Sequence, residues 1–404
     1  PAARRLLAPD RYNKRQSPSE TGRGSMQQSE ESRQSLSGCL LALLICFAGA
    51  SQSAEVENLY TATVELGSEA ADPRTTAQAA AMAEVLVRVT GDRAAATAPE
   101  LAPLLDNPGR FVASYGRTIG GEAQVRFLPS EIERELTIAG WPVCGAERPL
   151  TQLWIAVTDQ FGEQTILTNA LPPGAVYGDH MLSLLSGLRE EIETVAALRG
   201  LPWMLPDFVT NEHMMRTFED VWSYSFDSLF TVTDALQADA TAIVRVRESI
   251  IGTDVEWLLR SPAYQGSLPG TGVSEGIHWL ADSFAAQYCS TGGPRTLTLR
   301  IAGVGDFDSY ARVLAYLESV TMLSDVNVES YSAGELLLRA QSRGDAAVLA
   351  RTFNLDSVLR ERDRPSGFPG PGPFQGASGT TLEPTLELMV VPEQGLFDAF
   401  DSGF

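Results

Sequence analysis

Histidine is the side chain that proteins use most often for acid–base chemistry near neutral pH and for binding zinc. The sequence has three, His180, His213 and His278, and no two of them stand at the spacing of paired metal ligands. Lys14 is the only lysine, so the rest of the chain has no lysine for a phosphate-binding P-loop. These residues predict a protein that is not an enzyme, with no catalytic residues, no metal site and no cofactor.

A second set of side chains is suited to binding and falls within 26 residues of the chain. Leu-Pro pairs interrupt this stretch and would hold the side chains near the carboxyl end of a strand, where open α/β sheets commonly form a groove. Packing in a core explains the aromatic residues equally well, so both interpretations stay open. The candidate groove consists of Arg199, Trp203, His213, Trp222 and Tyr224.

Two features of the sequence bear on the compartment: an apolar run near its start and a pair of cysteines further along. Cys39 to Ala50 is an apolar run of signal-peptide length, and Ala48-Gly49-Ala50 offers a cleavage site. We therefore expect residues 1–54 to comprise a non-native leader plus a signal peptide, and the mature protein to be periplasmic. Cys144 and Cys289 would then remain in an oxidising compartment, either as a disulfide or as two separate buried thiols.

The net charge of the chain is −21, which excludes several kinds of partner. A strongly negative surface repels nucleic-acid phosphates and anionic lipid head groups. We expect no nucleic-acid binding and no transmembrane segment in the mature chain. An envelope protein or a glycan is the expected partner.

Periodicity predicts a multi-module α+β or α/β fold. In residues 55–140, alternation from Tyr60 to Leu66 predicts a strand, and Asp72 and Gly91 predict the two ends of a helix. Two further strands and a short helix would complete a small βαββ-type N-terminal domain. Residues 150–291 open on the apolar run Leu153–Val157, typical of a strand buried on both faces, and predict a central mixed α/β domain.

The last third of the chain is predicted to form a separate unit. After Gly292-Gly293-Pro294 the pattern is strand, helix, two strands, helix, so residues 295–360 predict a ferredoxin-like βαββα C-terminal domain. Residues 361–404 are rich in Pro and Gly and predict an extended tail, from which residues 386–391 could return as one strand.

Several segments together carry a resemblance to a known family. Val85–Gly91, Arg148-Pro149, Arg199–Pro202, Val221-Trp222 and Gly303-Val304 occur in this order along the chain. With them, roughly residues 56–355 resemble a family of exported bacterial proteins known as domain of unknown function 2066. The resemblance implies an envelope location in proteobacteria and supplies no activity.

The sequence thus predicts an uncharacterised periplasmic envelope protein that acts as a non-catalytic interaction or assembly module. The alternative is a small-ligand-binding protein or a hydrolase that uses the central groove, centred on Arg199 and His213.

Overall fold

The structure is a computed structural model, and the described residues build one compact unit of mixed α/β architecture. They contain nine α-helices and several separate sheets, which confirms the predicted multi-module α+β class. The predicted leader and signal peptide lie outside these residues. The described residues are 54–56, 58–66, 72–223, 225–261, 264–270, 272–362, 374–375, 381–382 and 386–392.

The first module packs helices against a three-stranded antiparallel sheet of order β2-β4-β3. Its elements are β1 (Ala54–Glu55), β2 (Thr61–Val64), α1 (Pro73–Thr90), α2 (Ala102–Leu105), β3 (Val112–Arg117), β4 (Ala123–Phe127), α3 (Pro129–Ala139), β5 (Val143–Cys144) and β6 (Glu147–Arg148), with 3₁₀ turns at Arg93–Ala96, Pro99–Leu101 and Pro108–Phe111.

Helix α1 begins and ends where the sequence predicts. The Asp72 carboxylate accepts hydrogen bonds from the backbone N–H groups of Arg74 and Thr75, at 3.1 and 3.3 Å, and so caps the first turn. Gly91 ends the helix with φ of 70°, a left-handed conformation that glycine adopts without a Cβ clash. Small side chains on one face, including Ala77 and Ala81, are buried and let the helix lie close to the sheet.

The second module is built around one sheet of order β12-β11-β10-β7-β8, with β9 paired to the start of β7. Its elements are β7 (Thr151–Thr158), β8 (Gln164–Ile166), α4 (Asp179–Arg199), β9 (Trp203–Met204), α5 (Asn211–Trp222), α6 (Asp227–Ala235), β10 (Ala240–Ser249), β11 (Gly252–Ser261), β12 (Tyr264–Leu268), α7 (Val273–Tyr288) and β13 (Cys289–Ser290).

Strand β7 is buried on both faces, as its apolar run predicts. Leu153 and Ile155 face a core shared with α4 and α7, whereas Trp154 and Ala156 face a second core shared with α5 and α6. Strands β7 and β10 are parallel neighbours, so their carboxyl ends meet at one edge of the sheet. Helix α4 follows β7 along the chain and covers the same face, which places its first residues near the carboxyl ends and its last residues near the amino ends of the strands.

The third module is a five-stranded sheet of order β15-β16-β14-β20-β17, with two helices packed on it. Its elements are β14 (Arg295–Ala302), α8 (Phe307–Ser319), β15 (Leu323–Ser332), β16 (Glu335–Ser342), α9 (Ala346–Asn354), β17 (Leu359–Glu361) and β20 (Leu386–Val390). A short pair, β18 (Phe374–Gln375) and β19 (Thr381–Leu382), precedes β20.

Strand β20 shows that part of the predicted tail belongs to this sheet. It pairs in parallel with β14 and antiparallel with β17, so it lies inside the sheet rather than at an edge. Leu386, Leu388 and Val390 are buried, and Glu387 stands opposite the buried Arg300 in the strand register. The alternating apolar residues of this strand find a place in the core, and for this reason the third module does not end at residue 360. Most of the Pro- and Gly-rich segment before β20 lies outside the described residues.

No helix in the described ranges combines the length and the apolar character needed to cross a membrane.

Candidate functional site

The structure separates the residues of the predicted groove. Arg199 is the last residue of α4 and is fully buried, and Trp203 in β9 pairs beside Thr151, at the amino end of β7. His213 and Trp222 belong to α5, which packs on the opposite face of the sheet. Tyr224 lies outside the described residues. The prediction located Arg199 and Trp203 at the wrong end of the sheet, because the chain has already returned along α4 before it reaches them.

The two Nη atoms of Arg199 bind groups of the surrounding modules. Its guanidinium donates to the Gly91 carbonyl at 2.7 Å, to the Asp282 carboxylate at 2.5 Å and to Nδ1 of His278 at 3.1 Å. Burial, followed by the positive charges of Arg93 and Arg199, lowers the pKa of His278. A neutral imidazole can accept this hydrogen bond, so His278 supports the buried arginine.

Two more arginines join Arg199 where the carboxyl ends of α1 and α4 meet. Arg148 donates to the carbonyls of Arg88 at 2.6 Å and Arg199 at 2.7 Å, and Arg88 donates to the carbonyl of Ala197 at 3.1 Å. The last carbonyls of a helix have no partner within the helix and carry partial negative charge, which the guanidinium groups satisfy. We call Arg88, Arg148 and Arg199 the arginine junction. Burial, and then the neighbouring Arg88 and Arg199, lower the pKa of Arg148 to about 10.

A disulfide lies beside the arginine junction. Cys144 of β5 and Cys289 of β13 are joined, with their Cα atoms 4.1 Å apart, and the bond links the first module to the end of α7. Gly91 fits between the two modules only because it lacks a side chain: a Cβ there would lie 2.6 Å from Cβ of Ala285 and 3.0 Å from Sγ of Cys144. The amino end of the central sheet is therefore a cross-linked structural joint.

The other end of the sheet is built from two neighbouring turns, one after β7 and one after β10. Thr158 pairs with Arg247 at the ends of these strands. Asp159 fixes the first turn, since its carboxylate accepts the N–H of Phe161 at 2.9 Å and that of Glu163 at 2.8 Å. The first turn is also joined to the end of β10, because the backbone N–H of Gln160 donates to the Glu248 carboxylate at 3.3 Å.

These two turns expose large apolar side chains. The exposed fraction is 73% for Phe161, 90% for Ile250 and 94% for Ile251. A single exposed apolar residue is ordinary, but three at adjacent turns form a patch of the kind that marks an interaction surface. We call Phe161, Ile250 and Ile251 the apolar tip.

A groove of about 470 Å³ begins beside the apolar tip and runs along α4 toward the start of α7. His180 and Glu248 line it, and Nε2 of His180 lies 2.6 Å from the Glu248 carboxylate. This hydrogen bond raises the pKa of His180. The Phe161 ring packs edge-on against the imidazole, with 5.2 Å between ring centroids. The groove and the apolar tip are thus one continuous surface at the carboxyl ends of β7 and β10.

Ser274 stands in the stretch Gly272-Val273-Ser274-Glu275-Gly276, which has the Gly-x-Ser-x-Gly spacing of a hydrolase nucleophile. In the structure Ser274 is the second residue of α7, and its hydroxyl donates to Glu191 at 2.5 Å, while Glu191 also accepts the Ser274 N–H at 2.8 Å. Glu191 therefore caps α7. Gly276 has a packing role, since a Cβ there would overlap the Trp257 indole.

The described residues contain no group of three or more His, Cys, Asp or Glu side chains that could hold a metal ion. The hydroxyl and the N–H of Ser274 both donate to Glu191, so capping of α7 accounts for this contact. The surface at the carboxyl ends of the strands is suited to binding through apolar contact.

The apolar tip was missed by sequence reasoning. Its signal was present in Ile250-Ile251, two large apolar residues at a position between β10 and β11 where a hairpin turn normally carries polar residues. Phe161 gave the same signal in the turn between β7 and β8. Only the pairing of β7 with β10 shows that the two turns are neighbours.

Comparison with known proteins bears on the first module. The sequence model of a domain of unknown function (DUF8605) matches residues 53–145. No curated protein and no solved structure matches the chain. The matched segment contains the whole first sheet, α1 and Cys144. The first module is therefore similar to an uncharacterised domain, and this domain is a different one from that of the resemblance noted in the sequence.

Proposed function

We propose that the protein is an exported, non-catalytic interaction module of the bacterial cell envelope, and that its apolar tip binds another envelope protein. The observation that carries the proposal is the exposure of Phe161, Ile250 and Ile251 on two adjacent turns. Exposed apolar side chains gain about 1.5 to 3 kcal/mol each when a partner buries them fully. Three of them can supply the centre of a protein interface.

The turns that carry the tip are held by the body of the module. Asp159 closes the first turn, and Glu248 connects that turn to His180 at the start of α4. A surface that is fixed before binding loses less conformational entropy when the partner arrives. This rigidity favours a docking surface over a turn that happens to expose apolar residues.

Three observations support the envelope location. The Cys144–Cys289 disulfide is of a kind that persists in oxidising compartments such as the periplasm. The apolar run Cys39–Ala50 has the length of a signal peptide, and the sequence resembles the exported family of domain of unknown function 2066. The location in proteobacteria rests on that resemblance.

A protein partner suits the tip better than a glycan does. Two of its three side chains are isoleucines, which offer neither hydrogen bonds nor an aromatic face for a sugar ring. Aliphatic side chains of this kind gain most from an apolar groove on another protein.

Affinity capture from envelope extract tests the proposal. The mature chain should recover a defined protein, and the double substitution Ile250→Asp with Ile251→Asp should reduce its recovery about tenfold or more, since charged groups at the tip cannot be buried without a partner charge. The matched control is Ile119→Asp, another fully exposed isoleucine, in the turn between β3 and β4 of the first module. Equal recovery by the tip variant and the control would contradict the proposal.

The non-catalytic part of the proposal has its own test. A general hydrolase screen on the mature chain should show no turnover. Turnover that is abolished by His180→Ala in the groove, or by His213→Ala on α5, would favour the alternative of a hydrolase instead.

A further inference from the structure

A cleft of about 460 Å³ opens between the first and third modules. It shares no lining residue with the groove beside α4. This volume lies in the range of sites that bind small organic molecules. Leu59, Val143 and Met322 give the cleft an apolar wall, and all three are buried. The space is large enough for a compact ligand of about a dozen non-hydrogen atoms or more.

The polar part of the lining is a charged cluster. The Tyr60 hydroxyl donates to the Glu133 carboxylate, and Nη1 of Arg343 pairs with the same carboxylate at 2.6 Å. Glu133 is buried and is the only acidic residue among the described residues that line the cleft, whereas Arg126 and Arg343 both line it. The described lining residues therefore carry one positive charge in excess, in a chain whose net charge is −21.

The two arginines differ in what they already bind. Arg343 uses one nitrogen for Glu133, and its other N–H groups make no hydrogen bond with the described residues. Arg126, on β4, makes no hydrogen bond or ion pair with any described residue. Guanidinium groups match the geometry of carboxylates and bind them with two parallel hydrogen bonds. The free donors of this lining suit an anionic group.

The wall that faces the third module is held in place before any ligand binds. The Glu147 carboxylate accepts the Thr321 N–H at 2.6 Å and the Thr321 hydroxyl at 2.8 Å, and the Thr321 hydroxyl oxygen accepts the Ala146 N–H at 2.9 Å. Gly145 lets the two segments approach, because a Cβ there would lie 2.9 Å from Cγ of Met322. A cleft that is braced in this way loses little entropy on binding.

We propose that this cleft is a binding site for a small organic carboxylate. The charged end would lie against Arg126 and the free N–H groups of Arg343, and the apolar body would lie against Leu59, Val143 and Met322. The site is independent of the apolar tip, which belongs to the second module.

Calorimetric titration of the full mature chain tests the site with two carboxylates and their neutral amides. Decanoate represents a lipid-derived carboxylate, with decanamide as its control. N-acetyl-dialanine represents a peptide carboxyl terminus, with its C-terminal amide as control. We expect at least one carboxylate to bind with a Kd below about 1 mM. The Kd of its amide should be at least about tenfold higher. Which of the two binds identifies the source of the ligand.

Substitution of Arg126 locates the binding. Since Arg126 has no partner among the described residues, Arg126→Gln should leave the thermal midpoint unchanged and weaken the carboxylate about tenfold. The matched control is Arg117→Gln, an exposed arginine on the neighbouring strand β3 that does not line the cleft. The proposal is overturned if neither carboxylate binds with a Kd below about 1 mM. It is also overturned if the amides bind equally well, or if Arg126→Gln has no greater effect than Arg117→Gln.

Discussion

The two ends of the central sheet are built in opposite ways. At the amino end, buried arginines satisfy the carbonyls of two helix termini, and the Cys144–Cys289 disulfide joins the modules beside them. At the carboxyl end, Phe161, Ile250 and Ile251 lie exposed. Buried hydrogen bonds between modules are concentrated at one end, and exposed large apolar side chains are concentrated at the other.

This difference separates stability from binding. A buried arginine with all its carbonyl partners in the same chain has little left to offer a ligand, so the arginine junction holds the modules together. An exposed isoleucine adds nothing to the folded chain and is available to a partner. Substitutions at the amino end should therefore change the free energy of unfolding, and substitutions at the apolar tip should change binding alone.

The largest effect is expected at the centre of the arginine junction. Arg148→Met removes the donors for the Arg88, Arg199 and Gly200 carbonyls, which stay buried. We expect the free energy of unfolding to fall by about 3 to 5 kcal/mol, measured by urea denaturation. Ile251→Ser at the tip should change it by less than about 0.5 kcal/mol. Equal effects of the two substitutions would remove the distinction between the ends.

Loss of the disulfide should be next in size. Cys144 and Cys289 are 145 residues apart, so the bond restricts the unfolded chain strongly. Replacing both with Ala should lower the free energy of unfolding by about 2 to 5 kcal/mol, and reducing the wild-type protein should have the same effect. Urea denaturation of the oxidised, reduced and substituted proteins measures this. Three identical curves would show that the bond contributes nothing to the joint.

The amino end should also determine the pH dependence of stability. Asp239 precedes β10, and one of its carboxylate oxygens accepts the Leu150 N–H at 2.8 Å. Burial, with the nearby Asp356, raises the pKa of Asp239 to about 7. Because the folded pKa lies above the unfolded value, the folded state holds a proton between pH 4 and 7 that the unfolded state has released, so stability falls as the pH rises through this window.

Asp239→Asn tests that sign. The amide oxygen can still accept the Leu150 N–H, but the group no longer ionises. We expect the variant to be more stable than the wild type at pH 8 by about 1 to 3 kcal/mol, and the difference to disappear near pH 4. Thermal melts across the pH range measure it, with the exposed Asp254→Asn as control. A variant that is less stable at pH 8 would contradict the assigned pKa shift.

The smallest effect is expected at the carboxyl end, where His180 is partly exposed to solvent. The hydrogen bond to Glu248 raises the pKa of His180, so this contact stabilises the fold below the unfolded pKa and is lost as the pH rises through the folded value. Glu248→Gln should lower the His180 pKa toward its ordinary value of about 6.5. Titration of the imidazole resonances by NMR measures the shift. An unchanged pKa would mean that the hydrogen bond does not form in solution.

Local chemistry made part of this structure predictable. Asp72, Pro73 and Gly91 specify both ends of α1 by their own conformational preferences, and the apolar run Leu153–Val157 is typical of a strand that is covered on both faces. These features depend on residues that are close in sequence, which is why the helices, most strands and the multi-module class follow from the sequence.

What depends on pairing between distant segments could not be predicted. The pattern of Leu386, Leu388 and Val390 indicates a strand but not its place between β14 and β17. Arg199 lies at the amino end of the sheet because α4 runs from the carboxyl ends of the strands back to their amino ends. The apolar tip exists only because β7 and β10 are parallel neighbours, a contact between residues nearly ninety positions apart.

Site-specific cross-linking tests the central claim most directly. A photoreactive phenylalanine analogue at Ile251 should capture an envelope protein on irradiation, while the same analogue at the equally exposed Ile119 should capture none, and both variants should unfold at the wild-type temperature. Cross-links of equal yield from the two positions, or from Ile119 alone, would show that the carboxyl end of the central sheet is not the binding surface.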